Sequence, residues 1–326
     1  MMQAQRNENA VGTNTPAERN PSTNVVFSSR LNDRVKQPVL KVLSEEDWQC
    51  WIQYGYVVVK AAISPEQADK TAQAIWDFEE LDAADPHTWY PGEKVALKKE
   101  YKSFNSGMVE LYHHQALWDN RQHPRVYNAF ADVWGQEDLW VTIDRVNLNL
   151  PPYPGLSFDM VKHWDYDPEN SSDNVQGVLS LSDQTDLSVG GFTCYPSIFR
   201  KEDFLQWKAR QPEDWNWYRP DVSDLEQTAV GLGKGDLLIF NSRLCHGIRQ
   251  NVSLNKARIA QYISMSPAQE ENAELREWRI HAWENREAPK GYSFYGDPRH
   301  WERDRQETAR LTILGEKLLG KRSWAS

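Results

Sequence analysis

The run GKGDLLIFNSRLCHGIRQN, Gly233 to Asn251, decides how the chain is read. Gly233 and Gly235 mark a turn, Asp236 to Phe240 is an apolar run of strand length, and His246 stands before Gly247 in a further strand, Cys245 to Arg249. Twelve residues past that histidine comes Arg258, inside ARIAQYISM, where Arg258, Ala260 and Tyr262 share one face of an alternating strand. About 80 residues before His246, VKHWDYD sets His163 and Asp165 two positions apart. On extended chain such residues project to the same side roughly 6.5 Å apart, near enough for an imidazole and a carboxylate to share one metal ion. His-x-Asp alone recurs by chance and reads as a surface pair. The order His-x-Asp, His, Arg on a β-rich chain is far more specific. Two histidines and one carboxylate hold one face of a six-coordinate iron(II) and leave the other positions open. A buried arginine can clamp a carboxylate at the far end of a dicarboxylic co-substrate.

Around this stretch the texture is β. LWVTIDRVNLNLPP (Leu139 to Pro152) alternates, with Val146, Leu148 and Leu150 on one face and Arg145, Asn147 and Asn149 on the other. Such a polar face either meets solvent or lines a wet cavity, and the segment alone does not choose. Val175–Leu181, Phe192–Tyr195, Gln227–Val230 and Arg258–Met265 add further strands between turn signals, the pattern of an antiparallel sandwich or jelly roll. Ser44 before Glu45, Glu46 and Asp47 opens a helix that Gly55 stops, and Ser64-Pro65-Glu66 opens a second. A third is expected from Met108 through Leu111, Tyr112, Leu117 and Trp118. Residues 1–36 carry almost no apolar periodicity and read as a flexible tail. Residues 37–266 form the expected domain, with a Trp-rich insertion at 198–226, and 267–326 a helical extension packed on it.

These segments together resemble the phytanoyl-CoA dioxygenase family of Fe(II)- and 2-oxoglutarate-dependent oxygenases. The likeness runs from LSEEDWQCWIQYGYVVVKAAISPEQ, through HWDYD and LSLSDQTDLSVGGFTCYPSI, to GDLLIFNSRLCHGIRQN and ARIAQYISM, roughly residues 43 to 265. It implies a double-stranded β-helix (jelly-roll) core with helices outside, so a mainly β fold with flanking helices. It implies iron held by His163, Asp165 and His246, Arg258 on the C5 carboxylate of 2-oxoglutarate, and a further co-substrate contact near Asn147 and Asn149. The implied reaction uses O2 to hydroxylate, desaturate or cyclise a small organic molecule while 2-oxoglutarate becomes succinate and CO2. In halogenating relatives a small residue replaces the carboxylate ligand, so Asp165 argues against halide transfer. One departure is Tyr195-Pro196-Ser197-Ile198, where the family often has Pro-Gly-Ser-His. A non-redox cupin-like isomerase or small-ligand binder is the alternative.

The remaining features bound the function. A net charge of −10 disfavours nucleic acid and anionic membrane surfaces, and no apolar run has the ~18 residues of a membrane span. Without a secretory leader in the opening residues, a cytoplasmic enzyme acting on a small molecule is expected. Cys50, Cys194 and Cys245 have no metal-ligand spacing, and Cys245 is expected to pack in the sheet. His113, His114 and His123 read as structural, Arg200, Lys201, Lys208 and Arg210 as a solvated face. Trp207, Trp215, Trp217 and Tyr218 either roof a substrate cleft or pack the insertion onto the core.

Overall fold

The structure, a computed structural model, describes residues 31–92, 107–152, 161–165, 167–169, 174–289, 294 and 296–325. Its strands are β1 (Tyr56–Val59), β2 (Met108–Val109), β3 (Leu139–Val141), β4 (Val146–Asn149), β5 (Val175–Ser180), β6 (Gly191–Cys194), β7 (Thr228–Ala229), β8 (Leu237–Asn241), β9 (His246–Arg249), β10 (Arg258–Tyr262) and β11 (Met265–Pro267). Its α-helices are α1 (Glu45–Tyr54), α2 (Pro65–Glu79), α3 (Gln115–Arg121), α4 (Pro124–Trp134), α5 (Lys201–Lys208), α6 (Ala273–Asn285), α7 (Trp301–Arg305) and α8 (Ile313–Leu319).

The larger sheet has the order β1-β8-β5-β10-β4-β2, the small sheet facing it β7-β6-β9, and β3 pairs with β11 in a separate two-stranded ribbon; all neighbouring strands run antiparallel. An isolated bridge between His163 and His246 adds residues before β5 to the free side of β9. From β4 onward the chain therefore passes from large sheet to small and back: β4, the 163 bridge, β5, then β6 and β7, β8, β9, β10. That alternation is the jelly-roll pairing, drawn here by two facing sheets that do not close into a barrel.

Two-sided burial explains the unbroken apolar run at 237–240. Leu237 and Ile239, with Val175 and Leu179, join the core beneath the helices, whereas Leu238, Phe240 and Val178 point between the sheets with Phe192 and Cys194. Gly177 sits in β5 because a Cβ there would lie 2.3 Å from the Ile263 carbonyl and 2.8 Å from the Phe130 ring. Ser44 caps α1 as expected, its hydroxyl accepting from Asp47 N while Asp47 accepts from Ser44 N. Gly55 ends that helix at φ 76°, under the Phe199 ring, where a side chain would collide.

Two boundaries differ from expectation. The third helix begins at Gln115 and not at Met108: Met108 and Val109 pair with Asn147 and Val146, and His114 Nδ1 caps the helix by accepting from Ala116 N (3.1 Å). The apolar spacing at 108–112 comes from two-sided burial beside β4, which mimics a helical period over so short a span. Packed chain also starts before residue 37. Leu31 and Asn32 are buried, and Arg34 Nε donates to the Val133 carbonyl (2.8 Å). The rest of the expected tail, 1–30, lies outside the described residues. At the other end Leu318, Leu319 and Trp283 share the core of Val141, and Arg279 donates to the carbonyls of Leu319 (2.9 Å) and Leu318 (3.1 Å).

Candidate metal centre

His163 and His246 face each other across the small sheet. His163 N donates to the His246 carbonyl (2.9 Å) and His246 N to the His163 carbonyl (3.0 Å), the reciprocal pair of an antiparallel ladder. Backbone pairing thus sets the separation of the two rings, whose centroids lie 4.7 Å apart. Asp165 completes the group: its Oδ1 is 3.4 Å from His163 Nε2 and its Oδ2 is 3.5 Å from His246 Nε2. One ligand atom from each residue lies within 4.8 Å of the others.

The donor chemistry fits a metal ion. His163 Nδ1 sits 3.1 Å from the Val161 carbonyl and His246 Nδ1 3.0 Å from the Leu244 carbonyl. A carbonyl can only accept, so each Nδ1 carries its hydrogen and each Nε2 keeps a lone pair for a cation. Without metal, burial works against ionised Asp165, but the two imidazoles outweigh it and hold the carboxyl well below its usual range. Burial likewise disfavours protonated His163, yet Asp165 raises it overall. Phe240 and Phe192, from the inner faces of β8 and β6, lie 4.6 and 5.8 Å from the His246 ring.

Trp164, between two of these residues, turns the other way. Its ring is fully buried with Phe204, Trp207 and Trp215 at centroid distances of 5.8 to 6.0 Å, and its Nε1 donates to the Arg243 carbonyl (2.8 Å). Trp164 N also donates to the Trp217 carbonyl (3.1 Å). The insertion therefore has two sides. Trp207 and Trp215 pack behind the His-x-Asp segment, while Tyr218 comes within 5.4 Å of the His163 ring.

Arg258 opens β10 at the end of the inner face where β9 has run out. His246 opens β9, a four-residue strand that spans about 10 Å from His246 to Arg249. Arg258 is 1 % exposed; its Nε donates to Gln184 Oε1 (3.0 Å) and its Nη1 to Asn147 Oδ1 (2.9 Å). Both partners are neutral amides, and among the described residues the guanidinium has no carboxylate at ion-pair distance. Asn149 pairs with Arg258 in register, and its carbonyl accepts from Asn251 Nδ2 (3.0 Å). Gln184, a partner of Arg258, is one that sequence reasoning misses; it stands in a loop, where no period marks it.

The other candidates have structural partners. His113 is buried with Nε2 2.9 Å from the Glu287 carbonyl, and burial pushes its pKa down to about 3. His113 and His114 precede α3 and so lie outside the helix expected from Met108 onward, and His123 is the residue before α4. Cys245 packs with Trp164 and Tyr195, and burial raises its thiol well above the ordinary range. Arg200, Lys208 and Arg210 pair with Asp33 (3.6 Å), Glu169 (3.9 Å) and Asp224 (3.7 Å). No helix among the described residues is long and apolar enough to cross a membrane.

A two-histidine, one-carboxylate group on the three-stranded sheet of a jelly roll, with a buried guanidinium on the six-stranded one, defines a class of oxygenase-like folds. Residues 51–260 match the family model of phytanoyl-CoA dioxygenase (PhyH), a span that contains all of these side chains, and the chain belongs to that family. It is thus an oxygenase and an oxidoreductase. A Dictyostelium discoideum protein bearing the family's name is 25% identical over 266 residues, 68% of this chain and 74% of that one. The Aspergillus versicolor protein named Ava biosynthesis cluster protein O is 25% identical over 234 residues, 65% of this chain and 74% of its own. Among solved structures, a hypothetical protein from Escherichia coli superposes with a TM-score of 0.62 at 16% identity, over 85% of this chain and 81% of that one. That last likeness is one of fold.

Proposed function

We propose that this chain is an iron(II)- and 2-oxoglutarate-dependent dioxygenase that hydroxylates, desaturates or cyclises a small organic metabolite, with 2-oxoglutarate converted to succinate and CO2. The observation that carries the reading is Arg258: a buried cation held by neutral amides, on the face of β10 whose Ala260 packs with Phe192 and Phe240, the rings beside His246. A buried guanidinium without a counter-charge is costly, and an arriving carboxylate removes that cost.

In this reading His163 and His246 present Nε2, and Asp165 a carboxylate oxygen, to the iron. When bound, the iron supplies the site where O2 is reduced by the 2-oxo acid and the substrate C–H bond is oxidised. Arg258 takes the C5 carboxylate through N–H groups not used by Gln184 and Asn147, which fixes the co-substrate's direction. Val178, Phe192, Leu238, Phe240 and Ala260 keep water from the space between the sheets. The domain is proposed to run from 37 to 266, with 31–36 and the segment after 266 packed on it. The Aspergillus relative's name is consistent with a role in secondary metabolism.

The test is succinate release by the purified chain given Fe(II), 2-oxoglutarate and O2, followed across a panel of candidate metabolites. Stimulated release with a matching oxidised product supports the reading. No succinate under any condition, with iron bound, overturns it.

A further inference from the structure

The two amides that hold Arg258 are themselves fixed. Gln184 Nε2 donates to Ser180 Oγ (2.6 Å) and to the Ile259 carbonyl (3.2 Å), which leaves Oε1 turned to the guanidinium and settles the orientation of the amide. Asn147 lies in the middle of β4, between Ala260 of β10 and Met108 of β2, with Oδ1 on Arg258 Nη1. Gln184 is 1 % and Asn147 0 % exposed, so water does not compete for these bonds. A carboxylate at either position would bind a guanidinium more strongly, and would also cancel its charge. An amide orients the group and leaves the charge in place. Arginine has five N–H donors; two are engaged here, and the rest remain for a ligand.

We infer that Gln184 and Asn147 are positioning residues that aim Arg258 while keeping its charge uncompensated, so that the pocket selects a 2-oxo acid ending in a carboxylate over one ending in a neutral group. The inference rests on the reading of Arg258 as the co-substrate's partner. A Glu at 184 or an Asp at 147 would occupy the guanidinium from within the chain. An incoming carboxylate would then meet like charge, while a neutral tail would lose little.

The probes are 2-oxoglutarate and 2-oxoglutaramate, its C5 amide, bound without O2 to the iron(II)-loaded full chain and followed by calorimetry. The wild-type chain prefers the dicarboxylate by tenfold or more. Asn147→Asp and Gln184→Glu each weaken 2-oxoglutarate by tenfold or more and 2-oxoglutaramate by less than threefold, so the preference collapses. Gln184→Met removes the acceptor and adds no charge, so it weakens 2-oxoglutarate several-fold and keeps the preference. Thermal unfolding identifies the variants that fold. An undiminished preference in a folded acidic variant overturns the inference, as does unchanged 2-oxoglutarate affinity in Gln184→Met. Arg258→Gln separates the two levels: unchanged 2-oxoglutarate affinity there overturns the reading of Arg258 itself.

Discussion

Two buried arginines stand on neighbouring strands, Arg145 just before β4 and Arg258 at the start of β10, and both are at most 2 % exposed. Their surroundings differ in one respect. Arg145 has Glu110 Oε1 at 3.5 Å, Tyr112 Oη at 3.4 Å and the Phe294 ring 4.8 Å beneath it, and Glu110 also accepts from Gly296 N (2.9 Å). Its charge is answered inside the chain, by a group that ties the C-terminal segment to β4. Arg258 meets amides alone. Burial is thus common to both arginines, and the charge of their protein partners is what separates them.

The largest expected effect lies at the metal end and sets the scale for that contrast. His246→Ala removes one of the three proposed ligands together with its ring contacts to Phe192 and Phe240, and should abolish both iron retention and turnover. Full iron content by elemental analysis would refute the assignment.

Next comes Arg145→Met, which leaves Glu110 buried without its cation and should cost about 3–5 kcal/mol of stability by denaturant unfolding. Affinity for 2-oxoglutarate should change little in whatever fraction folds. Arg258→Met should do the reverse. It removes an unanswered buried charge, so unliganded stability should hold or rise, while 2-oxoglutarate affinity falls tenfold or more, which corresponds to about 1.4 kcal/mol. If Arg145→Met abolished co-substrate binding with stability intact, the roles of the two arginines would have to be exchanged.

The smallest effect concerns pH and the same C-terminal tie. Glu302 accepts from Tyr112 N (2.8 Å) and from His113 N, yet burial outweighs these donors and raises its pKa from 4.5 to about 7. A carboxyl raised on folding contributes stability in full below about 4.5, and that contribution is lost as pH climbs through 7. Thermal unfolding should therefore show a decline from pH 5 to pH 8 that Glu302→Gln lessens; an equal slope in the variant would show that another group carries it.

The metal group is legible in the sequence because its parts sit at fixed places in a repeating pattern, a His-x-Asp before one strand and a histidine at the start of another. Arg258 is legible through alternation with Ala260 and Tyr262. Asn147 stands out as part of a polar strand face, but its contact with Arg258 does not, since cross-strand register between residues 111 apart is written in no local pattern. Gln184 lies beyond reach for a related reason. The Trp-rich insertion is visible as a unit and its two sides are not: whether a tryptophan faces the cleft or the back of Trp164 depends on how the loop returns, which composition does not encode.

The reciprocal backbone bonds between His163 and His246 have a consequence for observing the site. The two amides that space the ligands can only exchange with solvent deuterium when that pairing opens, so positions 163 and 246 report on the integrity of the centre without any label. An ion clamping both imidazoles would make opening of either bond require release of the ion, and the two amides should slow together by a common factor that grows with metal concentration. With the proposed ion bound, the chain would carry its own gauge of occupancy, read from its peptide hydrogens.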